Sequence, residues 1–103
     1  MAVFKLIPDS TFKAQVQIPV HGGQTAPVEF TFKHRTREQL DEFFKSVGDR
    51  SVEESILDAA VSWSLDDEFT AENIKVLCDN YMGAASAIAS AYTKELLQNR
   101  QGN

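Results

Sequence analysis

The fold is decided by the segment Thr11–Val20, TFKAQVQIPV, in which apolar and polar side chains alternate. A hydrophobic period of two with one polar face is typical of a half-buried strand, most easily in an antiparallel sheet. We therefore predict a strand that places one face on a core. Its apolar positions are Phe12, Ala14, Val16 and Ile18, and its polar positions are Lys13, Gln15 and Gln17.

A second alternating run follows the first and passes through Val28, Phe30 and Phe32. The residues between the runs, 21–27 with the sequence HGGQTAP, contain Gly-Gly and a proline, which is typical of a turn. The two runs are predicted to form a hairpin with a long, mobile loop. A third alternating piece, Phe4–Leu6, is predicted to complete a three-stranded sheet with one apolar face that needs a cover.

The residues after the hairpin have helical periodicity, and two capping boxes mark the predicted starts of helices. Thr36 with Gln39, and Ser51 with Glu54, have the spacing at which side chains satisfy the free N–H groups of a first turn. Each start is followed by an apolar stripe. The stripes are Leu40, Phe43, Phe44 and Val47 before Gly48, and then Val52, Ile56, Ala59, Ala60 and Trp63.

Two further helices are predicted beyond the acidic residues Asp66–Glu68. One begins at Thr70, and the other follows Gly83. Their apolar positions are Ile74, Leu77, Cys78 and Tyr81 in the third helix, and Ile88, Tyr92, Leu96 and Leu97 in the fourth.

The predicted order of strands first and helices afterwards indicates an α+β fold. In this arrangement about four helices cover one face of a small, N-terminal, three-stranded antiparallel sheet. We predict a single domain over residues 1–103, with a strand region 1–35, a helical region 36–100 and a polar tail 101–103.

Length and charge limit the classes of function. A chain of 103 residues fits one domain with a modest core, and its single cysteine excludes an intrachain disulfide framework. Residues 1–50 carry seven basic and six acidic side chains, whereas residues 51–103 carry three and nine, for a net charge of −5. Phosphate backbones and anionic membranes repel such a chain, so we expect no nucleic acid and no membrane as a partner. The N-terminus lacks the pattern of a signal peptide, so we expect an intracellular protein.

The residues that commonly carry catalysis or bind metals form no recognisable pattern. Cys78 lies on the apolar side of its predicted helix, which favours a buried thiol. His21 and His34 have no further ligand at a metal-binding spacing, and Asp66–Glu68 lacks the glycine and glutamate that complete a calcium loop. We therefore predict that the protein is not an enzyme and binds no cofactor and no metal. If Cys78, His21 and His34 converged on one cleft, an enzyme would be favoured instead.

The fourth predicted helix is rich in small side chains, with the sequence GAASAIASA over residues 83–91. Small side chains permit close approach of another backbone, and this leaves two interpretations. The helix packs against its neighbours inside the domain, or it forms a groove that admits a partner helix. Trp63 and Phe69 are likewise either core or interface. The candidate partner-binding residues are Phe69, Tyr81, Ile88, Tyr92 and Leu96.

Several short motifs in the second half of the chain are distinctive when taken together. They are Trp63, Asp67–Phe69 (DEF), Leu77–Tyr81 (LCDNY), Ala87-Ile88, Ala91-Tyr92 and Arg100–Asn103 (RQGN). In this series the chain resembles the tail assembly chaperones of long-tailed phages and prophages. The resemblance covers most of the chain, since that family also begins with a short strand region followed by helices.

The resemblance implies a role without catalysis. Such proteins bind the long tape-measure protein and keep its apolar helical surface from aggregating until tail-tube protein polymerises around it. The expected partners are therefore the tape-measure protein and, as a further candidate, the major tail protein. We also expect self-association or an array of copies on the client, because linked weak sites gain avidity. The expected location is the cytoplasm of the bacterial host, and the mature virion is not expected to retain the protein.

Two other classes of function stay open at this stage. A structural or joining protein of the phage tail would use a similar scaffold but would assemble permanently. A small acidic regulatory adaptor would need a basic element to read DNA, for which Lys33–Arg37 is the candidate.

Overall fold

The computed structural model describes residues 4–97, in which a three-stranded antiparallel sheet packs against four helices in an α+β arrangement. The predicted polar tail, residues 101–103, and the end of the predicted helical region lie outside the described residues. The elements, in chain order, are β1 (Thr11–Val20), β2 (Gln24–Lys33), α1 (Arg37–Val47), α2 (Val52–Ala59), β3 (Ala60–Trp63), α3 (Ala71–Asn80) and α4 (Ala84–Leu97).

Strands β1 and β2 form the predicted hairpin, but its loop is short. Pairing continues to Val20 opposite Gln24, so the chain reverses over residues 21–23. Gly22 and Gly23 have φ angles of 86° and 74°, which side chains rarely adopt and which glycine permits without strain. The prediction of a long loop was wrong because Gly-Gly alone suffices to turn the chain. Pro27 is tolerated within β2 because β3 pairs only with the distal part of that strand.

The third strand is not the predicted one. Phe4–Leu6 forms no strand, and the third strand is instead β3, which pairs with β2 and lies where the sequence predicts the end of the second helix. The apolar stripe through Ala60 and Trp63 fits a helical period, but α2 ends at Ala59. Beyond it, the Ser64 N–H donates to the Glu29 carbonyl at 2.9 Å, and the Glu29 N–H donates to the Ser64 hydroxyl at 3.0 Å. These bonds to β2 replace the helical bonds that a longer α2 would make.

The helix boundaries follow the capping signals of the sequence. Both predicted capping boxes are confirmed, with Thr36 and Ser51 as N-caps, and Thr70 caps α3 through the Asn73 N–H. The break between α3 and α4 falls at Gly83, where a Cβ atom would lie 3.0 Å from the ring of Pro19. The glycine therefore allows the α3–α4 junction to lie directly on the end of β1.

The core lies between the apolar face of the sheet and the helices. Helix α4 crosses β1, and the ring of Tyr92 stacks on Phe32 with centroids 4.9 Å apart. Phe32 also contacts Phe12 and Phe30, so it is the centre of an aromatic cluster. The buried residues are Val16, Ile18, Val28, Phe30, Phe32, Leu40, Phe43, Ile56, Ala59, Ala60, Ile74, Ala84, Ile88 and Tyr92.

Replacing Phe32 with alanine is expected to lower the free energy of unfolding by about 3–5 kcal/mol, because it leaves a cavity within the aromatic cluster. The matched control is Phe44→Ala on α1, where the ring is half-exposed and the expected loss is about 1 kcal/mol or less. Urea denaturation followed by far-UV circular dichroism measures both losses. Equal losses for the two variants would contradict the position assigned to the core.

Candidate functional site

An apolar groove of about 320 Å³ lies between α1, α2 and α4, and we call it the helical groove. Its outer edges are formed by Phe44 and Val47 of α1 and Val52 of α2, each of which is half-exposed. Arg50 is the one charged residue among those that line it within residues 4–97. Its apolar lining consists of Phe43, Phe44, Val47, Val52, Ile56, Ala59, Ala85, Ile88, Ala89 and Tyr92.

The groove exists because α1 and α4 supply side chains of very different size. Helix α1 has a wide apolar stripe, of which Leu40 and Phe43 reach the core while Phe44 and Val47 stay at the surface. Opposite them, α4 presents Ala85 and Ala89, which are too short to fill the space. An apolar floor with small side chains is suited to a bulky apolar side chain or to the backbone of another helix.

One end of the groove is held by a charged cluster centred on Asp58, which we call the Asp58 cluster. The Asp58 carboxylate accepts from Arg35 at 2.9 Å and from Arg50 at 3.0 Å. Arg35 also donates to the Asp58 carbonyl at 3.1 Å and to the Tyr92 hydroxyl at 2.9 Å, and that hydroxyl donates to the Lys33 carbonyl at 2.8 Å. The cluster therefore joins the β2–α1 loop, the α1–α2 turn, α2 and α4.

The electrostatics of the cluster favour its charged form. Burial by itself would raise the pKa of Asp58, but hydrogen bonds and charge from Arg50 and Arg35 outweigh it and lower that pKa. Burial would likewise lower the pKa of Arg35, yet its contacts with Tyr92 and Asp58 raise it overall. Both guanidinium groups also lie over the Phe43 ring, with Arg35 4.5 Å and Arg50 5.5 Å from its centroid. Stacking and ion pairing together orient Phe43 at the base of the groove.

The candidate partner-binding residues do not form one surface. Ile88 and Tyr92 line the inside of the helical groove but are only 2% exposed, because each packs into the core. Leu96 is half-buried near the start of β1. Their burial favours a structural role over an exposed anchor, and a role in partner contact stays a prediction for them.

Phe69 and Tyr81 lie on other parts of the surface. The Phe69 ring meets Trp63 edge-to-face at 5.1 Å, and the Trp63 indole N–H donates to the Asp67 carbonyl at 2.7 Å. Both rings also contact Phe30, so they pack against the core. Tyr81 is exposed at a second, more polar pocket of about 540 Å³ between the hairpin and α3.

The outer edges of the groove are not among the predicted partner-binding residues, although the sequence contains a signal for them. Phe43, Phe44 and Val47 give α1 a stripe wider than one packed face requires. A wide apolar stripe on α1, together with an alanine-rich α4, is the sequence pattern that predicts a surface role for Phe44 and Val47.

The two histidines considered for catalysis line different pockets. His21 lines the pocket between the hairpin and α3, His34 lines a pocket beside Arg35, and Cys78 lines neither of these pockets. Partial burial, together with the charges of Glu53 and Asp79, raises the pKa of the Cys78 thiol. Within residues 4–97 no group of three or more His, Cys, Asp or Glu side chains is placed to hold a metal ion. In the same range no helix is long and apolar enough to cross a membrane.

Comparison with known protein families identifies a match over the whole chain. The sequence model of a family described as "Phage tail assembly chaperone" matches residues 1–103. No curated protein and no solved structure matches the chain.

Removing the Tyr92 hydroxyl is expected to weaken the Asp58 cluster. Tyr92→Phe leaves the Lys33 carbonyl and one Arg35 N–H without their partner, so the free energy of unfolding should fall by about 1–2 kcal/mol. Tyr81→Phe is the control, because Tyr81 is an exposed residue, and a change within about 0.5 kcal/mol is expected. Urea titration of both variants measures the difference, and equal effects would contradict the role of the hydroxyl.

Asp58 is expected to make stability depend on pH in acid. Its pKa is lower in the folded state than in the unfolded chain, where it is about 3.9, so its contribution is complete above that value. The contribution is lost as the pH falls below about 4 towards the folded pKa. Asp58→Asn should therefore cost about 1–2 kcal/mol at neutral pH and progressively less than this between about pH 4 and pH 3.

The measurement is the free energy of unfolding in urea for wild type and variant at a series of pH values. Asp79→Asn serves as the control, because its ion pair with Lys75 at 2.8 Å is exposed and such pairs contribute little. A gap between wild type and Asp58→Asn that stays constant down to about pH 3 would contradict the assignment.

Proposed function

The chain belongs to the phage tail assembly chaperone family, and we propose that it acts as a non-enzymatic holdase for the tape-measure protein. In this role it binds apolar helical segments of the client in the helical groove and keeps them from aggregating until the tail tube forms. It acts without a cofactor in the cytoplasm of the bacterial host and is absent from the mature virion. The major tail protein is proposed as a second partner.

The observation that carries the proposal is the helical groove itself. Half-exposed Phe44, Val47 and Val52 leave apolar surface in water that the fold does not use. Recognition of an amphipathic helix in a groove relies on such a surface, with anchors of the client spaced three or four residues apart. Ala85 and Ala89 leave room for those anchors because their side chains end at the Cβ atom.

Charge supports the same role. The chain carries a net charge of −5, yet the helical groove is lined mainly by apolar residues, and its one charged lining residue within residues 4–97 is an arginine. Apolar contacts can therefore hold the client, while the acidic exterior keeps the complex soluble. A small groove gives weak binding at each site, so several copies along one long client would raise the overall affinity by avidity.

A permanent structural role in the tail is the second candidate. The family match favours the chaperone, and the two roles are separated by asking whether purified tails contain the chain. Its presence in mature tails would contradict the holdase proposal.

A charge in the helical groove is expected to abolish protection of the client. Val52→Asp places a carboxylate at the groove edge, in the first turn of α2 where an acidic residue favours the helix. The affinity of the variant for a tape-measure fragment should fall at least about tenfold, since the desolvation of one carboxylate costs at least about 1.4 kcal/mol. The soluble fraction of the fragment on co-expression should fall with it.

The matched control is Val61→Asp on β3. Val52 and Val61 are both 47% exposed, but Val61 does not line the groove. Thermal unfolding of both variants establishes that each is folded before client solubility is compared. If the client stays soluble with Val52→Asp, or is lost equally with Val61→Asp, the groove is not the binding site.

A further inference from the structure

A short apolar segment at the start of the described chain packs against nothing. We call residues 4–7, FKLI, the N-terminal arm. Phe4 and Leu6 are each 90% exposed and Ile7 is 81% exposed, whereas most other large apolar side chains within residues 4–97 are at least half-buried. The arm therefore holds three large apolar side chains in water, which is unfavourable by roughly 25 cal/mol for each Å² exposed.

The base of the arm is fixed although its apolar side chains are not packed. The Ser10 carbonyl accepts the His34 N–H at 2.8 Å, which ties the arm to the end of the sheet. Lys5 forms an ion pair with Asp9 at 2.7 Å, so the polar side of the arm is neutralised within the segment itself. What the arm presents to a partner is therefore apolar.

The helical groove of the same chain is an apolar surface of the kind that could accept such side chains. We propose that the N-terminal arm of one copy binds in the helical groove of a second copy. The groove is the one to which the proposed function assigns the client, so the arm would hold that site until the client displaces it. Each copy thus both donates an arm and receives one.

The size of the contact predicts weak association. One aromatic and two aliphatic side chains bury about 400–500 Å², and the groove buries a similar area, for a total near 1,000 Å². This lies below the area of standard stable interfaces and is typical of transient ones. An arm-to-groove contact is also head-to-tail, since the two surfaces differ, and it therefore forms rings or open chains of copies.

The association has a consequence for regulation of the proposed function. Arm and client bind the same groove, so they compete, and the client must lower the extent of self-association. A chaperone without client is thereby protected from exposing its own apolar groove. Weak binding by the arm suits this purpose because a tightly bound arm would exclude the client.

The test uses two complementary variants of the full chain. Leu6→Asp disables the arm but keeps the groove, and Val52→Asp disables the groove but keeps the arm. Met82→Asp is the matched control, since Met82 is as exposed as Leu6 and lies outside the groove. Sedimentation velocity over a range of concentrations measures the mass of each protein alone and of equimolar mixtures.

Wild type and Met82→Asp should associate with increasing concentration, and each disabled variant should associate at least about tenfold more weakly. An equimolar mixture of Leu6→Asp and Val52→Asp should form 1:1 pairs that grow no further, because one intact arm meets one intact groove. The proposal is overturned if wild type is monomeric throughout, if Leu6→Asp associates like wild type, or if the mixture stays monomeric. An arm that occupies the groove of its own chain would give the first result together with 1:1 pairs in the mixture, because the mixture still contains one free arm and one free groove.

The experiment separates this inference from the proposed function. Self-association is measured without client, so its absence leaves the holdase proposal intact. Conversely, Leu6→Asp should keep a tape-measure fragment as soluble as wild type does or more so, because its groove is open to the client. Loss of client solubility with Leu6→Asp would contradict competition between arm and client.

Discussion

The carboxylate of Asp58 binds Arg35 and Arg50, and through Arg35 it is linked to Tyr92 on α4, so one charged cluster joins four segments of the chain beside the helical groove. Arg35 and Arg50 bring the loops on either side of α1 to α2, and Arg35 extends the network to Tyr92 on α4. Helix α1 has few contacts with the sheet of its own, so these charged groups and Phe43 hold it in place. The groove walls are therefore set by polar contacts at one end and by Phe43 at the base.

In this arrangement some apolar side chains form the core, and others remain at the surface of the helical groove. The face of the sheet and the inner sides of the helices form a core around Phe32 and Tyr92, in which stacked rings exclude water. The outer part of α1 and the small side chains of α4 leave apolar surface that contributes nothing to the core. A protein of this size needs most of its large side chains for stability, so apolar side chains left at the surface are consistent with a binding role.

The chain belongs to the tail assembly chaperone family. In the proposed function the helical groove binds the client, and the N-terminal arm would compete with the client for it. Both would be recognised mainly through apolar contact, since most of the residues that line the groove are apolar. Specificity would then come chiefly from the length and spacing of apolar side chains and from the number of copies engaged. The acidic exterior would keep such complexes apart from one another in solution.

The sequence by itself determined the local features. The alternation in Thr11–Val20, the capping residues Thr36 and Ser51, and the resemblance to the chaperone family were sufficient to predict the hairpin, the helix starts and the family. Each of these signals depends on residues within about four positions of one another or on a motif read directly. Only the tertiary structure decided the rest.

Ala60–Trp63 fits a helical stripe as well as a strand, and bonds between Glu29 and Ser64, 35 positions apart, make it a strand. Tyr92 has the pattern of an anchor, but its hydroxyl bonds to Lys33, 59 positions away, and draws it into the core. The helical groove likewise forms because the fold places the bulky side chains of α1 opposite the alanines of α4, a pairing that depends on residues about 40 positions apart.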